Sequence, residues 1–460
     1  MTRAVEVGAG AACLCLAAGA FWLVSPAVAQ DAPPRLVFDI GSALRYDDNP
    51  GLALGGGDPR LRFDTSLGLT LNTTTRDQVF SLGLKGLARV ASDEALALRA
   101  PSVTLAYSRE TANSRLSLNG AFQQAQVDLF QPLFSLEGGV LTTDILATTG
   151  TVTSRTATLN FATGLQAPLG FDLAATVNDR LYSDTSDPNV YDSTSQSVKA
   201  GVHLRMPDTG REISLSAGLS ASDYQNATQT TRDSSELSLE LAQDLRPGLK
   251  LQAALGQITV ISGRTGGPDS TSAGATGSLG LEATLANGAA SVTLASNRDA
   301  LGSRQSLSFA RSLDLPNGTL AATLGLSSRP GQEGQLVGNL SYAQKLATGN
   351  FGVTLSRQIA LNGDTQDVAN TGLDLNYQHD INDVSRLGLS LNVLETGSGG
   401  SAGVTDVLRQ MLSASYARDL TADWQVTAGY QFRSLETTSA SGAQSNAVFL
   451  TINRTFILRP

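Results

Sequence analysis

The chain has 460 residues, 41% of them hydrophobic and only 16% charged, against roughly 25% charged in ordinary soluble domains. Few prolines and no long charge run exclude a disordered chain, and no apolar run of ~20 residues follows the N-terminal stretch, which excludes a helical membrane protein. A net charge of −9 argues against nucleic acid as a partner.

Residues 1–29 read as a secretory signal peptide. Arg3 supplies the positive start, Gly8 to Val24 the apolar stretch, and Ala27-Val28-Ala29 the small-residue site, which predicts cleavage before Gln30. The two cysteines, Cys13 and Cys15, both lie inside this signal. Residues 30–460 therefore carry no thiol chemistry, as suits a large exported protein of the Gram-negative envelope.

From Arg35 to Ile457 one pattern repeats: segments alternate apolar and polar residues, and turn residues separate them. In residues 61–72, Leu61, Phe63, Leu67, Leu69 and Leu71 oppose Arg62, Asp64, Ser66, Gly68 and Asn72. In residues 211–223, Ile213, Leu215, Ala217, Leu219 and Ala221 oppose a row of serines with Glu212 and Gly218. In residues 235–244, Leu237, Leu239 and Leu241 face away from Glu236, Ser238, Glu240 and Asp244. Side chains alternate faces along a strand, so each segment has one apolar and one hydrophilic side.

About twenty-two such segments can be placed, within a range of roughly 18 to 22. Their connections alternate short and long. Short ones fall at Thr73–Asp77, Arg246–Gly248, Leu285–Gly288, Leu346–Gly349, Asp380–Asp383 and Asp419–Asp423. Longer ones are expected at 47–60, 90–101, 183–194, 224–232, 262–272, 396–407 and 435–444. Short periplasmic turns and longer outer loops mark a transmembrane, antiparallel, up-and-down β-barrel, whose even strand number places both ends of the wall in the periplasm.

The connection at 127–150 differs from the rest. From Leu129 it reads LFQPLFSLEGGVLTTDILATTG, too apolar for an ordinary exposed loop. It either folds into the barrel as a constriction, docks a partner, or packs as a surface hairpin against neighbouring loops. Only a few residues separate the expected cleavage site from the first strand, so the sequence predicts no plug ahead of the barrel. Natural barrels of this size are usually plugged, so something else must narrow the pore.

Aromatic residues supply a separate signal. Tyr107, Phe161, Tyr342, Tyr377 and Tyr416 close strands that run into short turns, while Phe171, Phe351 and Trp424 open strands that leave them. Where parity is clearest they share the apolar face, as an interfacial girdle would. On the opposite face stand Arg62, Asp64, Lys85, Arg89, Arg115, Glu236, Glu240, Asp374 and Arg386. A wet lumen accommodates such charges, whereas a dry core would have to pair each one.

Catalytic and metal motifs are missing from the pattern, so neither enzyme activity nor a cofactor is expected. Tyr46-Asp47-Asp48-Asn49-Pro50-Gly51 reads as turn chemistry rather than a cation site. His203 and His379, the only histidines, fall on separate segments without a nucleophile motif, which leaves a membrane-embedded hydrolase as a remote alternative.

The start FDIGSALRYDDNPGL and the end LTINRTF resemble an outer-membrane porin family linked to exopolysaccharide systems. The specific likeness covers about fifteen residues at the start and seven at the end. The chain departs from many outer-membrane barrels in that Ile457-Leu458-Arg459-Pro460 follows the final aromatic, Phe456. The resemblance implies a porin-like conduit in the outer membrane that serves exopolysaccharide secretion. Its expected partners are the lipid bilayer, the barrel-assembly machinery, and polysaccharide or export components. The alternative is a structural or adhesive surface barrel with a closed lumen whose loops bind a partner or polysaccharide.

Overall fold

The computed structural model describes residues 34–126, 134–137, 140–143 and 150–458, except for 54, 92–93, 186–190, 402–403 and 439. The expected signal at 1–29 lies outside the described residues, as does much of the connection at 127–150.

Strands dominate. The first five are β1 (Arg35–Asp47), β2 (Arg60–Thr74), β3 (Gln78–Ala91), β4 (Glu94–Glu110) and β5 (Ser114–Gln126). A small hairpin of β6 (Phe134–Glu137) and β7 (Val140–Thr143) follows. Then come β8 (Thr151–Thr163), β9 (Leu169–Ser183), β10 (Ser193–Met206), β11 (Arg211–Tyr224), β12 (Thr230–Arg246) and β13 (Leu249–Gly263). They are followed by β14 (Ser270–Leu285), β15 (Gly288–Asp299), β16 (Gly302–Leu315), β17 (Gly318–Ser328), β18 (Gln335–Leu346) and β19 (Gly349–Leu361). The wall finishes with β20 (Asp367–Asn382), β21 (Ser385–Ser398), β22 (Val407–Asp419), β23 (Trp424–Thr437) and β24 (Ala440–Leu458).

Setting the β6–β7 hairpin aside, 22 strands pair antiparallel in chain order, β5 joins β8 directly, and β1 pairs with β24 from Leu36–Leu458 to Asp47–Ala447. The sheet is thereby closed. Closure leaves no edge, so backbone N–H and C=O groups are satisfied within the wall, as a bilayer demands. Short turns and the two strand ends share one rim. At Pro247-Gly248 the turn needs positive φ at its third position, and Gly248 adopts +77°.

Cross-strand register builds the apolar exterior. Leu215 lies opposite Leu239, and Leu239 opposite Leu255. All three are exposed, Leu255 by 73%. One residue along, Ser216 faces Ser238 on the inside, with their hydroxyls 2.7 Å apart. A single-residue slip would exchange these faces on a whole strand, so the alternation itself fixes the register.

Two of the expected long connections are strand instead. At 90–101, β3 and β4 pair out to Ala91–Glu94, and at 435–444, β23 and β24 pair out to Thr437–Ala440. In the second, residues 437–444 are small or polar, alternate weakly and read as loop. The first carries register slips between Lys85 and Leu87 and between Arg89 and Ala91, with Ala100 at φ 50° before Pro101. A bulge at a residue that cannot donate to the ladder breaks the period on which strand reading depends.

Candidate functional site

The nine inward charges predicted from sequence all fall on the face opposite the exposed leucines, yet they meet two environments. From the short-turn rim to about mid-strand the inner wall is wet. Lys85, Glu236, Glu240 and Asp374 are exposed there, and Lys199 lies 3.9 Å from Glu240. Arg115 pairs with Glu110 at that rim at 2.5 Å, and Arg386 binds Asp419 at 2.7 Å. Toward the long-loop rim the same face is packed. Arg62 and Arg89 are buried, and Asp64 holds Arg89 at 2.7 Å and Arg62 at 3.7 Å. These two arginines therefore brace the wall rather than line open space.

Three loop elements pack this rim. The first is the connection after β1. Asp47 is 1% exposed and accepts hydrogen bonds from Ser445 Oγ at 2.7 Å, Arg433 at 2.9 Å and Arg45 at 3.2 Å. Asp48 receives the Asn446 backbone N–H at 2.6 Å, and Asn49 bridges Ala53 and Gln444. The Tyr46–Asn49 signature is thus a clamp on the seam where β1 meets β24, with its carboxylates already satisfied. It also seats Leu52 in a small apolar cluster with Leu394, Val407, Leu435 and Ala443, from the tops of β21 to β24.

The second is the β19–β20 hairpin. Asp367 to Asn370 are buried on both faces of the strand, so the top of β20 no longer stands between two solvents. Asp367 binds Arg329 in a fork, Nε at 2.6 Å and Nη2 at 2.9 Å, and also receives Arg304. Arg329 reaches Asp299 at 2.6 Å. Burial opposes the Arg329 charge, but the Asp367 and Asp299 carboxylates outweigh it and hold the guanidinium above its usual range. The hairpin tip runs on to the wall around β9 to β13. Asn226 donates to Asp364 at 2.7 Å, Arg264 to the Asp364 carbonyl at 3.4 Å and Arg232 to Thr365 at 3.3 Å. Tyr191 lies against Gly363, where burial, with Asp364 beside it, pushes the phenol well above its ordinary value.

The third is the β6–β7 hairpin. Val140 makes a parallel backbone bridge with Leu361 at the end of β19. In ring order β19 stands eleven places from β8, half-way round the 22 strands. The β6–β7 hairpin, which follows β5 in the chain, therefore meets the inward-bent β19–β20 hairpin on the wall opposite β5 and β8. Nothing local in the sequence announces this contact; the apolar composition of 127–150 was its one signal.

The eight predicted girdle aromatics, Tyr107, Phe161, Phe171, Tyr342, Phe351, Tyr377, Tyr416 and Trp424, all sit at the short-turn end with the parity of the exposed leucines. Tyr342 packs edge-on against Phe351 at 6.1 Å, and Arg454 stacks over Trp424 at 5.1 Å. At the other rim Tyr46 and Phe63 are exposed on the same face, a smaller set that the sequence reading did not single out.

Register also joins residues that sequence kept apart. His203 on β10 stands between Asp172 on β9 and Ser214 on β11, with Nδ1 2.8 Å from Ser214 Oγ and Nε2 hydrogen-bonded to Asp172. A nucleophile needs donors for the oxyanion it creates. The flanking backbone N–H groups are committed to ladders on both sides, so this trio has no such pocket. His379 sits apart, stacked on Tyr377.

No protein-family model matches the chain, and no curated protein matches it. Solved structures do. The F5-1 variant of the FrpB iron transporter from Neisseria meningitidis superposes with a TM-score of 0.58 at 10% identity, covering 93% of this chain and 83% of that one. The open form of the ferric-catecholate import receptor Fiu from E. coli K12 gives 0.56 at 11% identity, covering 93% and 82%. The copper transporter OprC gives 0.51 at 11% identity, with the same coverage. At such identities the likeness is one of fold. A closed 22-stranded barrel with an apolar exterior and a polar inner face is stable in a lipid bilayer, and the chain is a bacterial outer-membrane barrel.

Proposed function

We propose that the protein is a non-enzymatic, gated conduit of the outer membrane, and that its cargo is an exopolysaccharide. The observation that carries the gating is the contrast along the inner wall: charges are exposed toward the short-turn rim, whereas two hairpins from opposite walls meet over the long-loop rim. A blocked adhesive barrel would have no need of a wet, charge-lined interior beneath its cap. The wall carries acids and bases of both signs, which suits a hydrated polymer better than an apolar solute. The likeness of the first strand and its seam clamp to the exopolysaccharide-linked porins supplies the cargo.

Deleting the gene in its own host tests this directly. The conduit reading expects polymer to disappear from the medium and accumulate behind the outer membrane. Normal secretion with loss of surface-bound polymer would favour the adhesive barrel instead.

A further inference from the structure

Arg232 stands out among the inward arginines. It is 8% exposed, its Nε and Nη1 have no hydrogen-bond acceptor among the described residues, and no carboxylate among them forms an ion pair with it, Asp299 acting only at longer range. Its only side-chain hydrogen bond among the described residues is the long one to Thr365, a neutral hydroxyl 3.3 Å away, and its guanidinium lies over the Tyr224 ring at 5.6 Å. Arg264 is bound just as loosely, to a backbone carbonyl of the same hairpin tip. A buried cation normally recruits an anion, because an unmatched charge or donor away from water is costly. Here buried Arg232 and exposed Arg264 converge on a tip that offers them one hydroxyl and one carbonyl, its Asp364 carboxylate being taken by Asn226. That tip is itself strained: Thr365 is β-branched yet sits at φ 62°, a region such residues avoid.

We propose that Arg232 and Arg264 form an oxyanion site beneath the β19–β20 tip, keyed to the acidic group of an anionic polysaccharide. A carboxylate, sulfate or phosphate ester placed there takes the two idle donors of Arg232 through charge-assisted bonds, displaces Thr365 and loosens this side of the hairpin tip. The two arginine contacts to the tip are weaker than those the ligand offers, and Thr365 relaxes as it leaves. The site stands on its own geometry; its polymeric ligand rests on the conduit reading above.

The test is calorimetric titration of the purified barrel in detergent with polygalacturonate oligomers, neutral dextrans of matched length and sodium sulfate. Polygalacturonate should bind and dextran should not, and Arg232→Gln should weaken polygalacturonate at least tenfold. Competition by sulfate at concentrations comparable to the polymer's sugar units would identify a free anion as an equal ligand of the same site. Equal binding of polygalacturonate by the parent and Arg232→Gln overturns the proposal, since the idle donors would then be met by water alone. A second variant guards against misfolding. Asn226→Cys with Asp364→Cys, oxidised to a disulfide, pins the tip and should abolish binding until reductant is added. Binding unaffected by that bond would overturn the coupling to the hairpin. Because calorimetry does not depend on passage, a barrel that binds polyuronate but exports nothing would refute the conduit and leave the site standing.

Discussion

Placing an arginine at Leu239 tests the facing of the wall. Leu239 lies seven residues from Arg246, the short-turn end of β12. At about 3.3 Å per residue and a tilt of about 40°, that is about 18 Å up from the short-turn end of the strand, within an apolar band about 25 Å tall. Leu239 is exposed and flanked by Leu215 and Leu255, so an arginine there would stand in hydrocarbon with no acceptor in reach. The expected cost of Leu239→Arg is about 2–4 kcal/mol, or roughly 30- to 700-fold in the folding equilibrium. Its two neighbours point inward and differ from each other. Ser238→Arg loses the buried 2.7 Å bond to Ser216 and crowds the wall, at about 1–2 kcal/mol. Glu240→Arg reaches the wet inner face and disturbs only Lys199 at 3.9 Å, within about 0.5 kcal/mol. Urea titration in lipid vesicles, read by the heat-modifiable shift on SDS gels, should rank the three in that order. Equal tolerance at Leu239 and Glu240 would mean that the apolar face does not meet lipid.

Asp47→Ala should lower stability by about 3 kcal/mol, because it leaves Arg433 and Arg45 without the carboxylate that closes the seam; the urea midpoint reports it. Asp367→Ala should leave the barrel folded but loosen the β19–β20 hairpin, since Arg304 loses its carboxylate and Arg329 keeps only Asp299. Protease added to whole cells should then cut within 362–366 several times faster, and an unchanged rate would show that the cap does not depend on this cluster. In a chain expressed from Gln30, Trp424 is the only tryptophan. Its emission should be blue-shifted and quenched more by lipids brominated near the headgroup than by lipids brominated at the chain ends, whereas the reverse would remove the girdle from the interface.

The wall was legible because its physics is local. Alternation such as Leu237-Ser238-Leu239-Glu240 states both faces of a strand at once, and turns such as Pro247-Gly248 state where it reverses. The extended hairpins at 90–101 and 435–444 were misread as loops, the first because register slips break its period and the second because its residues alternate weakly. The rim was legible only in part. Tyr46 to Asn49 could be recognised as a turn, but its grip on Arg433, Ser445 and Asn446 joins residues almost 400 positions apart, and only closure of the sheet creates it. The same holds for Asp172, His203 and Ser214, which the registers of β9–β10 and β10–β11 bring together, and for Asp367 with Arg329 and Arg304. Composition marked 127–150 as unusual without saying which wall it would reach.

Conductance of the intact chain and of a chain lacking residues 131–147, measured side by side in planar bilayers, tests the gated conduit most directly. The deletion removes the β6–β7 hairpin and its bridge to Leu361 while sparing every strand of the wall. The account predicts a folded, heat-modifiable barrel in both cases, small or rare openings for the intact chain, and a conductance several-fold larger after the deletion. An unchanged conductance, with the hairpin of the intact chain readily cut by protease at the cell surface, would place that hairpin outside the barrel and contradict the closure.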